Sequence, residues 1–159
     1  MHVIVATDGS PQSLAAARHL KSFADPQKIT TISVVAVIRP LASVAFADEI
    51  SEAETYEVSV GSGSFRAAAQ RAVDAVAAVF DDWGPTVIQR IRSGSPAAEI
   101  IKAATEHDAG LVVVASGGRG LSDVILLGST AQRVQHYAPC PVLVVRPAPR
   151  PRKTAQREA

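Results

Sequence analysis

An apolar run followed at once by a glycine-rich loop constrains this chain more than any other feature. Residues 111–114 are leucine and valine, which suits a strand covered on both faces in a parallel sheet. The loop at residues 116–120 reads SGGRG, and its glycines allow positive φ angles and close approach of a ligand. Gly128-Ser129 then precedes a helical pattern ending near Tyr137, where free amides could meet an anion. Taken alone, the loop indicates a tight turn more readily than a ligand site.

Size and composition favour a single domain with one well-buried core. The chain has 159 residues, 47% of them hydrophobic, and a net charge of +1. That balance gives no electrostatic reason to expect nucleic acid or a membrane as a partner. The single cysteine, Cys140, cannot form an internal disulfide, and no signal-type leader precedes the first apolar run, so we expect a cytoplasmic protein.

The first third of the chain has the pattern of a βαβ unit. Residues 2–6 form a short buried strand, and the sequence TDGSP follows directly. Ser10 suits a helix N-cap and Pro11 the first helical position, so a helix is predicted to begin there. Residues 29–38 then predict a second strand, which lies parallel to the first because such units close with a right-handed crossover.

The middle of the chain is less regular. Residues 41–63 follow neither period and end in GSG, so we interpret them as a variable, mobile insertion with a little helix. Residues 65–82 predict a helix, and the mixed polarity of residues 87–91 predicts a third strand at a sheet edge. Ser95 as N-cap and Pro96 then predict another helix.

The end of the chain predicts a last strand and a tail. Val142–Val145 follows Pro141, which cannot donate to a ladder, so this strand should lie at an edge or pair with another chain. Residues 148–159 are basic, lack apolar periodicity and are predicted to be disordered. The domain prediction is therefore residues 1–147, with 41–63 as the insertion.

The order of these features resembles the universal stress protein family. The resemblance is carried by DGS after strand one, the glycine loop after strand four and APCPVLVV near the end, and it covers nearly all of residues 2–147. It implies an α/β fold in which a doubly wound, five-stranded parallel sheet of order 3-2-1-4-5 has helices on both faces. This is a Rossmann-like sheet of the adenine nucleotide alpha hydrolase-like type.

Many members of that family bind ATP through a motif written G-x2-G-x9-G-[ST]. Gly118, nine intervening residues and Gly128-Ser129 match its second half, but Ala115 stands where the first glycine is expected. If the backbone at Ala115 is in the ordinary negative-φ region the methyl costs little, whereas a left-handed conformation would be strained by about 1 kcal/mol or more. The methyl could also crowd a phosphate. Gly110 replaces the family's usual Asp at a position remote from the site.

The resemblance implies an ATP site in the crevice where strands one and four send their connections to opposite faces. It assigns Asp8 to the ribose side and the backbone of Val37 to adenine, and we expect any Mg²⁺ contact of Asp8 to be indirect. Arg119 could add a charged contact, although a solvated loop arginine is an equal interpretation. The predicted ligand contacts are Ala6, Thr7, Asp8, Val37, Val114, Ala115, Gly117, Gly118, Arg119, Gly128, Ser129 and Thr130.

The function implied is an adenine-nucleotide-binding sensor or regulator of the stress response. The family pairs strand five with its copy, so Val142–Val145 is the expected homodimer element. The sequence contains no nucleophile with a general base, and therefore no catalytic residue is predicted and hydrolysis of ATP would be slow at most. The alternative is a dimeric protein-interaction module of the same fold without nucleotide, in which the insertion or the tail binds an unknown protein.

Overall fold

Strands and helices alternate along the chain, as the sequence predicts. The computed structural model describes residues 1–40, 52–117 and 127–147. Within these ranges, no helix combines the length and the apolar character needed to cross a bilayer. The elements are β1 (His2–Thr7), α1 (Pro11–Phe23), a 3₁₀ turn (Pro26–Lys28), β2 (Thr31–Ile38), α2 (Glu52–Val79), β3 (Thr86–Ser93), α3 (Pro96–Glu106), β4 (Leu111–Ala115), α4 (Ser129–Tyr137) and β5 (Val142–Val145).

The strands form one parallel sheet with β1 at its centre. Their order is β3-β2-β1-β4-β5. Val3 of β1 pairs with Ile32 of β2 on one side and with Leu111 of β4 on the other. The doubly wound architecture and the 3-2-1-4-5 order implied by the resemblance are therefore confirmed.

Alternate side chains of β1 face two different layers of helices. Val3 and Val5 pack with Leu20 of α1 and with Phe80, which directly follows α2, and all four side chains are buried. Ile4 packs into a second core with α3 and α4. Because successive strand residues point to opposite faces, a strand covered on both sides must be apolar throughout. This requirement explains the uninterrupted apolar run of residues 3–6.

Edge strands differ from central ones in the expected way. Gln89 of β3 is exposed and Arg90 is half-buried. All four residues of β5 are half-buried, whereas the three central residues of β4 are buried. The edge positions predicted from the mixed polarity of β3 and from Pro141 before β5 are confirmed.

The two predicted serine N-caps behave differently. Ser10 Oγ accepts a hydrogen bond of 3.2 Å from the Ser13 amide and so caps α1. Ser95 occupies the N-cap position of α3, but its side chain makes no capping hydrogen bond. The N-cap position predicted for Ser95 is confirmed, but position alone does not direct its hydroxyl toward the first-turn amides.

α2 begins earlier than the sequence predicts. The helix starts at Glu52 and continues through Gly61 and Gly63, where a linker was expected. A glycine in a helix is unfavourable by about 1 kcal/mol relative to alanine, yet it keeps its amide and does not break the hydrogen-bond ladder. Residues 41–51 of the predicted insertion and the predicted tail at 148–159 lie outside the described residues.

Candidate functional site

A cavity lies at the carboxyl ends of β1 and β4, where the chain changes from one face of the sheet to the other. α1 leaves β1 on the face shared with α2, whereas α4 follows β4 on the face shared with α3. The cavity has a volume of about 470 Å³, and we call it the switch-point cavity. Its lining residues are Ala6, Thr7, Asp8, Ser13, Val35, Val37, Arg39, Pro96, Ile100, Val114, Ala115, Ser116, Gly117, Gly128, Ser129, Thr130 and Ala131.

The structure brings most of the residues predicted from the sequence to this one cavity. Gly118 and Arg119 lie outside the described residues. Every other predicted contact is part of the cavity wall. These wall residues are Ala6, Thr7, Asp8, Val37, Val114, Ala115, Gly117, Gly128, Ser129 and Thr130.

Hydroxyl groups hold the turn between β1 and α1 in place. The side-chain oxygens of Thr7 and Ser13 lie 2.8 Å apart, and Ser13 Oγ donates to the carbonyl oxygen of Ser10 at 2.8 Å. Thr7 Oγ1 also accepts from the Gly9 amide at 3.1 Å. Gly9 has a φ of +78°, a conformation that glycine adopts without strain. These hydrogen bonds therefore connect the turn to Thr7 and Ser13, which line the switch-point cavity.

Asp8 lies at the outer end of this turn. Its Oδ1 accepts a hydrogen bond of 3.0 Å from the Ser10 amide. This contact orients the carboxylate, and it does not involve Oδ2. The side chain is exposed and lines the switch-point cavity. A carboxylate oriented in this way can accept hydrogen bonds from ligand hydroxyl groups.

Backbone hydrogen bonds join Ser116, which follows β4, to the end of β5 and to the start of α4. The Ser116 amide donates to the carbonyl oxygen of Val145 at 2.9 Å, and the Gly128 amide donates to the carbonyl oxygen of Ser116 at 2.6 Å. Gly128 has a φ of −61°, so it is not required by its backbone conformation. A Cβ atom there would lie 3.2 Å from the Ser116 oxygen, so close approach of the two segments favours glycine.

The structure decides between the two conformations considered for Ala115. Ala115 is the last residue of β4 and pairs with Val145 of β5. Within the described residues, Asp82 and Asp108 are the only non-glycine residues with positive φ. Ala115 is therefore in extended backbone, and the left-handed strain considered from the sequence does not arise.

Four apolar and three polar residues of the cavity wall were not predicted from the sequence. The apolar residues are Val35 of β2, Pro96 and Ile100 of α3 and Ala131 of α4, and the side chains of Ile100 and Ala131 are buried. Arg39 could have been found by the rule that identified Asp8, since it follows β2 at the same edge of the sheet. The additional wall residues are Ser13, Val35, Arg39, Pro96, Ile100, Ser116 and Ala131.

The donor set favours a small polar ligand with an apolar part over a resident metal. Asp8 is the one carboxylate in the wall, and the described residues contain no group of three or more His, Cys, Asp or Glu placed to hold a metal ion. Magnesium in proteins is commonly held by one or two carboxylates together with ligand phosphates. The wall therefore fits Mg²⁺ only as an ion brought with a phosphate ligand.

Burial raises the pKa of the Cys140 thiol, which disfavours its thiolate form.

Comparison with known proteins identifies close relatives over nearly the whole chain. Residues 1–146 match the sequence model of the Universal stress protein family. A universal stress protein of Methanocaldococcus jannaschii is 32% identical over 145 residues, which is 91% of this chain and 81% of the relative.

Solved structures share the fold at lower sequence identity. The universal stress protein UspA from Lactobacillus plantarum aligns with a TM-score of 0.74 and 22% identity, covering 92% of this chain and 97% of that one. A universal stress protein in complex with cAMP aligns with a TM-score of 0.60 and 24% identity, covering 92% of this chain and 96% of that one. A universal stress protein family protein from Arabidopsis thaliana with AMP bound aligns with a TM-score of 0.63 and 17% identity, covering 92% of this chain and 91% of that one.

Proposed function

Because this chain belongs to the universal stress protein family, we propose that it binds an adenine nucleotide, with ATP as the physiological ligand, in the switch-point cavity. The observation that carries the proposal is the composition of that wall, which has an apolar part at one end and hydroxyl and amide donors at the other. In open α/β sheets, ligands bind at this crevice beyond the carboxyl ends of the strands.

The apolar end of the cavity suits a purine base. Val35 and Val37 of β2 line this part of the wall together with Pro96 and Ile100 of α3. Val35, Val37 and Ile100 also pack in one core. Such side chains can enclose the faces of a planar ring, while backbone groups at the end of β2 distinguish its edge. Asp8 lies at the neighbouring strand end, where it can accept hydrogen bonds from ribose hydroxyl groups.

The opposite end of the cavity suits phosphate. Ser129 and Thr130 begin α4, and Gly128 at the N-cap has no side chain to occupy the first-turn amides. These amides, the helix dipole and the two hydroxyl groups all favour an anion at this position. Two of the fold relatives are described as complexes with adenine nucleotides, cAMP and AMP. That chemistry agrees with a purine end and a phosphate end.

In this proposal, the protein acts as a homodimeric sensor or regulator in the cytoplasm. β5 is an edge strand whose residues Val142–Val145 are half-buried, so an equivalent strand of a second copy can complete both its hydrogen bonding and its burial. The protein would then respond to whether a nucleotide is bound. Catalysis is not proposed, because the described wall contains no nucleophile adjacent to a base. A cytoplasmic location stays a prediction from the sequence.

The competing function is a nucleotide-free interaction module. The Ala115 methyl is the feature that favours it, because this residue lines the cavity where the family motif has a glycine. In that case the dimer would form and the cavity would bind no nucleotide.

A direct binding experiment separates the two functions. Freshly purified protein is denatured and the released small molecules are analysed, and the ligand-free protein is titrated calorimetrically with ATP and AMP, with and without Mg²⁺. We expect a heat of binding with at least ATP. The absence of both released nucleotide and binding heat would refute the nucleotide function and favour the interaction module.

Two variants on one helix localise the binding. Ser129→Glu places a carboxylate at the phosphate end of the cavity and should abolish measurable binding by charge repulsion. Gln132→Glu makes the same change of charge at an exposed position of α4 outside the cavity wall, and it should retain binding. Equal affinities of the two variants would show that the phosphates lie elsewhere.

A further inference from the structure

A second groove opens beside the switch-point cavity, on the side of α3 and α4. Its volume is about 440 Å³, and Arg39, Pro96, Ser129 and Thr130 line both spaces. The remaining lining residues are Pro40, Gly94, Ser95, Ala97 and Arg133. We call it the arginine groove. Because Ser129 and Thr130 line both spaces, a ligand at the phosphate end of the cavity lies directly next to this groove.

Among the residues that the structure describes, the groove is lined by two positive charges and by no carboxylate. Arg39 follows β2 and Arg133 lies on α4, and both side chains are exposed. Within the same residues, neither guanidinium takes part in a salt bridge, whereas Arg92 bonds Glu99 at 2.7 Å and Glu106 at 2.9 Å. Two guanidinium groups in a concave site favour binding of phosphate, which accepts several of their hydrogen bonds.

Glu99 is an acid at the edge of the groove. Its side chain lies beside Gly94, where a Cβ atom would be 3.0 Å from its Cγ. Its Oε2 accepts a hydrogen bond from Arg92 Nε at 2.7 Å. The positive charge of Arg92 therefore offsets the negative charge of Glu99.

Backbone donors add to the positive character. α3 begins at Pro96 and α4 at Ser129, and neither helix has a side-chain capping hydrogen bond at its first turn. The positive ends of both helices thus lie at a groove that already contains two guanidinium groups.

We propose that the arginine groove binds a second phosphate group of the nucleotide held in the switch-point cavity, so that the protein selects adenine nucleotides with two or more phosphates over AMP. The inference rests on the proposed function, since the first phosphate and the base occupy the adjoining cavity. Arg39 and Arg133 are specificity-determining residues in this arrangement.

The test compares affinity ratios. The dissociation constants of AMP, ADP and ATP are measured calorimetrically for the wild-type protein and for Arg133→Gln, Arg39→Gln and Arg71→Gln. Arg71 is an exposed arginine of α2, on the opposite face of the sheet, and controls for the loss of one charge. We expect Arg133→Gln and Arg39→Gln each to lower the ratio of ATP affinity to AMP affinity about tenfold. Arg71→Gln should keep the wild-type ratio.

Two outcomes would overturn the inference, and they are distinguishable. If AMP and ATP bind the wild-type protein but their ratio is the same in all variants, the groove does not receive the second phosphate. If no adenine nucleotide binds the wild-type protein, the proposed function fails, and the inference fails with it.

Discussion

The Gly128 amide donates a 2.6 Å hydrogen bond to the carbonyl oxygen of Ser116, across the base of the glycine loop. This bond joins the start of α4 to the segment that follows β4, and both segments line the switch-point cavity. Since a Cβ atom on Gly128 would lie 3.2 Å from that carbonyl oxygen, any side chain there must separate the two segments by a few tenths of an ångström.

Gly128→Ala should therefore weaken nucleotide binding more than it weakens the fold. Moving the first-turn amides of α4 away from the phosphate position is expected to lower ATP affinity about tenfold, or about 1.4 kcal/mol, in calorimetric titration. Gly63→Ala is the matched control, because an added Cβ at this α2 residue meets no atom within 4 Å. It should leave affinity unchanged and stabilise the protein by about 0.5–1 kcal/mol. Equal affinity of Gly128→Ala and wild type would contradict the role of this close approach.

Ala115→Gly tests whether the methyl group obstructs the proposed phosphate. Ala115 has an extended backbone, so the substitution relieves no strain and is expected to lower the free energy of unfolding by about 0.5–1 kcal/mol. ATP affinity should rise severalfold if the methyl crowds a phosphate, and calorimetry measures it directly. We expect this increase because Ala115 lines the cavity. A variant with reduced stability and unchanged affinity would show that the loop accommodates the methyl group.

The two helix-cap serines should differ in their contribution to stability. Ser10 is buried and its Oγ accepts from the Ser13 amide, so Ser10→Ala should lower the free energy of unfolding by about 1 kcal/mol. Ser95 is exposed and makes no capping hydrogen bond, and Ser95→Ala should stay within about 0.5 kcal/mol of wild type. Urea unfolding of both variants measures the difference. A similar loss in the two proteins would mean that capping by Ser10 contributes little.

The free energy of unfolding should fall as the pH falls below the ordinary histidine pKa of 6.5. The His2 and His107 rings stack with centroids 5.3 Å apart, and His107 Nε2 is buried without a partner among the described residues. Burial, His107, Arg90 and the amino terminus lower the pKa of His2 below 6.5. The folded state then binds its proton less tightly than the unfolded chain, so stability is complete above this value and is lost below it.

Urea unfolding at about pH 8 and about pH 5.5 measures this pH dependence on either side of the histidine pKa. His107→Gln removes one of the groups that lower the pKa of His2 and should reduce the difference between the two pH values. His19→Gln changes an exposed histidine of α1 that contacts Phe23, and should leave the difference as in wild type. The same pH difference in His107→Gln as in wild type would exclude the stacked pair as its cause.

Several elements could be predicted because their cause is local. The apolar run at residues 2–6 must be covered on both faces, and Ser10-Pro11 can begin a helix without any distant contact. The candidate site followed from a positional rule, since residues after β1 and β4 meet at one edge of a parallel sheet. The helix through Gly61 and Gly63 was missed because glycine lowers helix propensity without preventing helix formation.

The sequence by itself determined the order of strands and helices, the family and the edge of the sheet where a ligand would bind. These depend on periodicity, turn residues and a spaced glycine motif, all of which lie along the chain. Only the tertiary structure placed Arg39 on the same groove as Arg133, which is 94 positions later in the chain, and brought the Ser116 carbonyl within 2.6 Å of the Gly128 amide. Such contacts depend on how α3 and α4 pack on the sheet, and side-chain packing between distant segments leaves no periodic pattern in a single sequence.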